Sequence, residues 1–337
     1  MNKSNRLLEL DALRGIAALG IVLFHYTSGF NKIYGYSQKV LIDFQCGRYG
    51  VHLFFILSGF VIFMSLERTK RGLDFIVGRF ARLYPAYWSA VILTFSVVTV
   101  AGLPGREVSF SDALFNLTML HSFFNIRPVD DVYWTLNLEL SFYIIMFIIY
   151  KYGFLKHIDL IARGWLLLMV LNVILEQQFH LVLDTRIQTF LLLKYGNLFI
   201  VGMMFYKIHK EGFSYKRYAM IAACLLVYKF NYSWISTLAV ILISLVFYFT
   251  MKGYFAFLKH KSLLFIGSIS YTLYLVHENI GFVTIITLNK YGINPNTSIF
   301  MAIVLSFLLA STITFLIEQP MMRFIKEKYK TKILNQA

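Results

Sequence analysis

Charge, cysteine and proline are all in short supply. Only 15% of the 337 residues are charged, and the chain holds two cysteines and five prolines. Cys46 and Cys224 are too few for a disulfide framework and lack any zinc-ligand spacing. No Pro- or Ser-rich linker, low-complexity tract or internal repeat divides the chain. A soluble domain typically has about 25% charged and about 45–50% apolar residues. Here hydrophobic residues reach 58%, aromatics 18%, and mean hydropathy is +0.65. Disorder, collagen and an ordinary soluble fold are excluded. An all-α, polytopic membrane helix bundle is predicted.

Acidic residues are scarce as well, Asp+Glu 17 against Lys+Arg 32, for a formal charge of +15. Nucleic-acid binding would need a basic, aromatic-interleaved soluble patch, and no soluble domain carries one. In a membrane protein the excess is an orientation signal. Hydropathy places about ten transmembrane helices at 10–30, 50–66, 85–103, 134–150, 164–181, 188–206, 218–231, 234–250, 264–288 and 297–318. The stretch from Asp112 to Phe124 reads as a re-entrant or interfacial helix. With the N-terminus inside, 22 Lys and Arg fall on the cytoplasmic side, Lys3 and Arg6 among them, and 8 outside; Arg14 and Lys194 lie within spans. That asymmetry predicts both termini cytoplasmic in a cell inner membrane. The longest outer segments are 31–49 and 104–133, so one membrane domain over 1–337 is expected, with no extramembrane domain. The first apolar stretch contains Asp11 and Arg14 and does not read as a cleavable signal peptide.

Ionisable groups inside a bilayer are costly and mark functional candidates. Arg14 and His25 are 11 positions apart on the first span, within about 20° of three full helical turns and about 16 Å apart along the axis. Both therefore point one way, although Arg14 could simply pair with Asp11 three residues earlier. Arg79 and Arg82 would share a face if helical, and guanidinium forks suit phosphate; a basic cytoplasmic loop is also expected without any ligand. Glu139 lies about a turn and a half inside the fourth span, at a depth similar to His25, or caps that helix. His277, Glu278 and Glu318 are further ionisable groups near span ends. The remaining histidines, His52, His121, His157, His180, His209 and His260, read as boundary or loop residues.

These residues sit in blocks that resemble the integral-membrane acyltransferase family 3. Leu10-Asp11-Ala12-Leu13-Arg14-Gly15-Ile16-Ala17-Ala18 with His25 resembles its first helix, and Phe54-Phe55-Ile56-Leu57-Ser58-Gly59-Phe60 its second. Arg79-Phe80-Ala81-Arg82-Leu83-Tyr84-Pro85 is similar to its Arg-x-x-Arg segment, and Trp134-Thr135-Leu136-Asn137-Leu138-Glu139 to its Trp-Ser/Thr-Leu-x-x-Glu. Ser270-Tyr271-Thr272-Leu273-Tyr274-Leu275-Val276-His277 and Glu318-Gln319-Pro320 resemble its late motifs. Six blocks occur in the family's order. The resemblance implies acyl transfer, usually acetyl from acetyl-CoA as co-substrate, to a sugar hydroxyl of a cell-envelope or exported glycan. The hydrolase-like periplasmic domain fused to some members is not expected here.

The residues suit that chemistry. A sugar hydroxyl is a poor nucleophile, and a positioned imidazole can take its proton as it attacks a thioester. His25 is the candidate base, and Glu139 would orient its ring and stabilise the imidazolium. Arg14, Arg79 and Arg82 would meet the phosphates or pantetheine of acyl-CoA from the cytoplasmic side. The axial gap from Arg14 to His25 suits a pantetheine arm, with donor entering from inside and acceptor from outside. No metal is expected. The partners implied are acyl-CoA, a glycan or glycolipid, membrane lipid and, allowed by the same apolar faces, a second copy of the chain. The competing reading is a proton-coupled transporter or flippase for a glycolipid or acyl donor, using His25 and Glu139 as a relay. A catalytically dead scaffold for glycan assembly is a third. Missing inverted repeats and missing Gly/Pro-broken helices speak against transport.

Overall fold

The computed structural model describes residues 7–334. Lys3 and Arg6 of the charge tally, and both chain ends whose side of the membrane was expected, lie outside the described residues. Among the described residues every regular element is helical and no strand occurs. Six helical segments are long and apolar enough to cross a membrane: Gln45–Glu67, Gly72–Ala101, Asp131–Lys151, Phe154–Gln178, Trp234–Met251 and Pro295–Ile333.

Helix edges depart from hydropathy in four informative places. The helix expected over 85–103 begins at Gly72, so Arg79 and Arg82 stand on a helix instead of a loop. Asp74 in its first turn suits the helix N-terminus, and Pro85 is carried inside. The stretch expected to be one span over 188–206 divides into Thr185–Phe190 and Gly196–Glu211, around Leu192 in the left-handed region (φ 56°). The Leu191 carbonyl there accepts from the Trp165 indole at 2.7 Å, so the backbone finds a partner outside a helix. The stretch 264–288 is two helices, Lys261–Val276 and Glu278–Lys290, meeting at His277. Finally, two helices pass into π-helical turns. Leu8–Phe24 continues into His25–Gly29, and Pro295–Ile313 into Thr314–Glu318. Asp112 to Phe124 holds the short helix Phe110–Asn116 and a 3₁₀ turn His121–Phe124.

The chain divides into two compact units, each assembled from separate stretches. One comprises the chain up to Leu10, Val51–Gly72 and Thr135–Lys259; the other comprises Asp11–Gly50, Leu73–Trp134 and the chain from His260 onwards. In the first unit, helices Gly50–Glu67 and Gly196–Glu211 touch backbone to backbone. A Cβ at Gly59 would overlap the Phe199 carbonyl, and one at Gly202 the Ile56 carbonyl. Small residues let membrane helices approach this closely, where packing replaces the hydrophobic drive that lipid cannot supply. Phe55, Phe142 and Phe199 fill the space alongside, with ring centroids 4.4–5.0 Å apart. The second unit uses the same device: a Cβ at Gly15 would lie 2.6 Å from the Gly267 nitrogen. That crossing holds the first helix against Lys261–Val276 and so sets His25 beside His277.

Candidate active site

In the second unit, His25 opens the π turn of the first helix, and His277 sits where two later helices meet. His25 Nδ1 is 2.8 Å from His277 Nε2, and the rings stack with centroids 5.0 Å apart and planes 4° apart. Neighbouring bonds fix the protons. His277 Nδ1 lies 2.9 Å from the Tyr274 carbonyl, which can only accept, so His277 carries its proton on Nδ1. Its Nε2 is then a lone pair, and the bond between the rings is donated by His25 Nδ1–H. The basic nitrogen of His25 is therefore Nε2. His277 is fully buried, whereas the His25 side chain keeps 18% exposure. Of the two rings, His25 is the one a substrate can reach.

Three further groups hold the pair. The Tyr26 hydroxyl donates to the His277 carbonyl at 2.5 Å and takes the Ser306 hydroxyl proton at 2.6 Å. Gly281 lies flat on the Tyr26 ring, where a Cβ would collide with it. Glu278 places Oε2 3.9 Å from His25 Nδ1, ready to stabilise an imidazolium. Its Oε1 accepts from Arg106 at 3.2 Å, and Arg106 also pairs with Asp131. Asp130 is fully buried and accepts the backbone N–H groups of Val132 (3.3 Å) and Asn279 (3.1 Å). Burial first, and then the nearby Glu278 charge, hold its carboxyl well above the usual carboxylate range. The segment 104–133 is thereby clamped to the histidine-bearing segment; Tyr133 and Tyr274 add bonds to the carbonyls of Leu275 and Val132.

The second unit has a cavity of about 640 Å³ walled by Phe30, Tyr34, Tyr36, Pro104, Asn289 and Lys290. A second, of about 390 Å³, shares Tyr36 and Ser37 with it. Phe282 joins the first cavity's wall to the histidines, with its ring 5.8 Å from Tyr34 and 6.5 Å from His25.

The other expected site residues occupy two regions. Arg14 bonds Asp11 at 3.1 Å, the local pairing that the three-residue spacing allows. Arg82 forms an ion pair with Glu318, a fully buried carboxylate at the end of the second π turn. The Thr272 hydroxyl donates to the other Glu318 oxygen at 2.8 Å, and Arg82 lies over the Tyr271 ring. Arg79 lies over Phe75, and Lys326 feels the charge of both arginines. Arg79, Arg82 and Lys326 thus make one basic cluster in the second unit. Glu139 belongs to the first unit, where its Oε1 accepts from Ser58 (2.9 Å) and Tyr143 (2.6 Å), leaving Oε2 without a protein partner. Of the groups around His25, the sequence marked His277 and Glu278 only as ionisable groups near span ends, and it did not single out Arg106 or Asp130 within 104–133. His277 is 252 positions from His25, and no spacing joins the two. Among the described residues, no group of three or more His, Cys, Asp or Glu is arranged to hold a metal ion.

Among the described residues this is an all-helical, multi-pass membrane protein with a pair of histidines set in a polar nest. The chain belongs to the acyltransferase domain family (Acyl_transf_3), matching it over residues 7–316. It is 30% identical over 112 residues to the "Exopolysaccharide production protein ExoZ" of Rhizobium meliloti (strain 1021), covering 32% of this chain and 35% of that protein. It is 28% identical over 158 residues to the "O-acetyl transferase" of Shigella phage Sf6, covering 43% of this chain and 45% of that protein. "Protein 2 in picA locus" of Rhizobium radiobacter is 37% identical over 107 residues, 29% of this chain and 51% of that protein. The chain spans about a third to a half of the length of these relatives. No solved structure matches.

Proposed function

We propose that the chain is a membrane O-acyltransferase that moves an acyl group, acetyl in the first instance, from cytoplasmic acyl-CoA to a sugar hydroxyl of a cell-envelope or exported glycan. The observation that carries this reading is the tautomer of His25, whose Nε2 is left lone-paired on a side chain that keeps 18% exposure, while Nδ1–H is tied to His277. The relatives named for exopolysaccharide production and O-acetyl transfer support the acceptor and acyl classes. The orientation follows the charge tally: about ten spans in the inner membrane, with both termini cytoplasmic.

In this reaction His25 Nε2 takes the hydroxyl proton as the sugar oxygen attacks the thioester carbonyl. The new C–O bond forms, the C–S bond breaks, and the imidazolium returns its proton to the departing CoA thiolate. Glu278, 3.9 Å from Nδ1, stabilises the transient charge. Arg14, Arg79 and Arg82 serve the donor, with Lys326 beside the last two. Glu139 is the second candidate acid–base group, its Oε2 open among the described residues. The aromatic cavities at Tyr34 and Tyr36 suit a sugar ring. The test is thiol release from acetyl-CoA by purified protein with candidate glycans. Glycan-dependent release, with one acyl mass added to the glycan, is expected. No release with any donor or glycan would overturn the reading in favour of transport.

A further inference from the structure

A groove of about 1040 Å³ in the first unit has no part in the chemistry above. It lies between helices Ile158–Gln178 and Tyr215–Asn231, with a charged end and an apolar end. The charged end presents Arg163, Lys216 and Arg217 against one carboxylate, Asp159. Asp159 is shared by Lys207 at 3.3 Å and Arg217 at 3.5 Å, and Glu211, outside the groove wall, pairs with the same two cations. Among the described residues Lys216 has no carboxylate at ion-pair distance, and Arg217 Nε is buried without a hydrogen-bond partner. The same end holds the start of helix Tyr215–Asn231. Ser214 makes no side-chain cap, and its carbonyl takes the amides of Arg217 and Tyr218. The preceding amides of Tyr215 and Lys216 belong to the unfilled first turn, which favours an anion.

Away from that end the walls are apolar. Leu166, Leu167 and Val170 come from one helix, and Met220, Ala223 and Phe230 from the other. From Met220 to Phe230 the helix rises about 15 Å, half of a hydrocarbon core about 30 Å thick. The apolar stretch matches the depth of one leaflet, with the basic side chains gathered at one end of it.

We propose that this groove binds an anionic glycerophospholipid, with its phosphate between Arg163, Lys216 and the helix start, and one acyl chain along Met220–Phe230. Any exposed helix face in a membrane is coated by lipid. What the basic end adds is selection of the headgroup. Each basic side chain near such a surface favours an anionic lipid about fivefold.

The test uses the full-length protein in mild detergent, titrated separately with dioleoyl phosphatidylglycerol, dioleoyl phosphatidylcholine and undecaprenyl phosphate, with bound lipid counted by native mass spectrometry. Phosphatidylglycerol is expected to bind at least about tenfold tighter than phosphatidylcholine. R163Q/K216Q, both exposed positions, should bring that ratio close to one. Ala223→Trp, which fills the apolar end, should weaken both phospholipids together. Equal binding of the two phospholipids by the natural chain would overturn the proposal, as would selectivity that survives R163Q/K216Q. Preference for undecaprenyl phosphate over phosphatidylglycerol would overturn it in favour of a carrier-lipid site. The readout is independent of acyl transfer.

Discussion

His25 Nδ1 faces His277 Nε2 at 2.8 Å, and the bond from His277 Nδ1 to the Tyr274 carbonyl decides which ring donates. The candidate base is thus oriented by a second histidine, whose own proton is committed to the backbone. His25→Ala should cut transfer by about 10²–10⁴, as loss of a general base does. His277→Leu should lower kcat while leaving the Michaelis constant for acyl-CoA in place. His277→Gln should recover part of the loss, because an amide oxygen can still accept from Nδ1–H. Steady-state kinetics on protein of matched membrane expression checks all three. A His277→Leu enzyme with normal kcat would remove the positioning role.

Glu139 makes a separable prediction. Both of its hydrogen bonds fall on Oε1, from Ser58 and Tyr143, and an amide oxygen can accept both. Glu139→Gln should therefore keep its thermal stability and lose most activity, since only the open Oε2 changes its chemistry. A double-mutant cycle beginning at His25→Asn, a variant chosen to retain measurable activity, should show strong non-additivity. Additive losses would give the two residues independent roles.

The two arginines should behave differently. Arg79→Ala should raise the Michaelis constant for acyl-CoA, with Arg79→Lys rescuing only part, because a point charge lacks the bidentate fork. Arg82→Ala should in addition lower the unfolding temperature, because it strands the buried Glu318 carboxylate. Breaking a buried pair costs about 3–5 kcal/mol, and the partial exposure of Arg82 lessens that here. Arg82→Ala paired with Glu318→Gln should restore stability without restoring donor affinity. Calorimetry in detergent and donor titrations separate the two effects.

His121, fully buried in the segment 104–133, gives the protein an acid sensitivity. Burial pushes its imidazole down to about 4. Between the ordinary value near 6.5 and about 4, the unfolded chain takes up a proton that the folded one refuses. Stability contributed by the neutral ring is therefore whole above that window and falls as pH drops through it. The unfolding temperature should decline less from pH 7 to pH 5 in His121→Phe than in the natural chain.

Much of the helical content was legible, because a run of apolar residues announces a membrane segment whatever surrounds it. The helix at 134–150 and that at 234–250 fall within a residue of Trp134–Lys151 and Trp234–Met251. The break near Leu192 was not legible, since the partner of the Leu191 carbonyl, Trp165, comes from another helix. His25 stood out as an ionisable group at membrane depth. Its company did not, because contact between His25 and His277, or between Arg106 and Glu278, depends on crossings such as Gly15 against Gly267 and not on spacing. The two units were hidden for a similar reason, as each draws on non-adjacent stretches.

The π turn at His25–Gly29 gives the first helix one residue more than an even winding needs. Hydropathy reads that surplus residue as ordinary filler, yet it sets the phase of everything downstream. Wound as plain α-helix, the same residues would swing those that follow by about 100°. Phe30, now edge-on to Phe282 at 5.5 Å, would leave the wall beside the histidines, and Tyr34 would follow it. The evenly wound helix would still be long and greasy enough for a bilayer. At this point of the chain, then, the width of one turn acts as a rotation, and a protein that inserts normally can still have lost the aromatic side of its cleft.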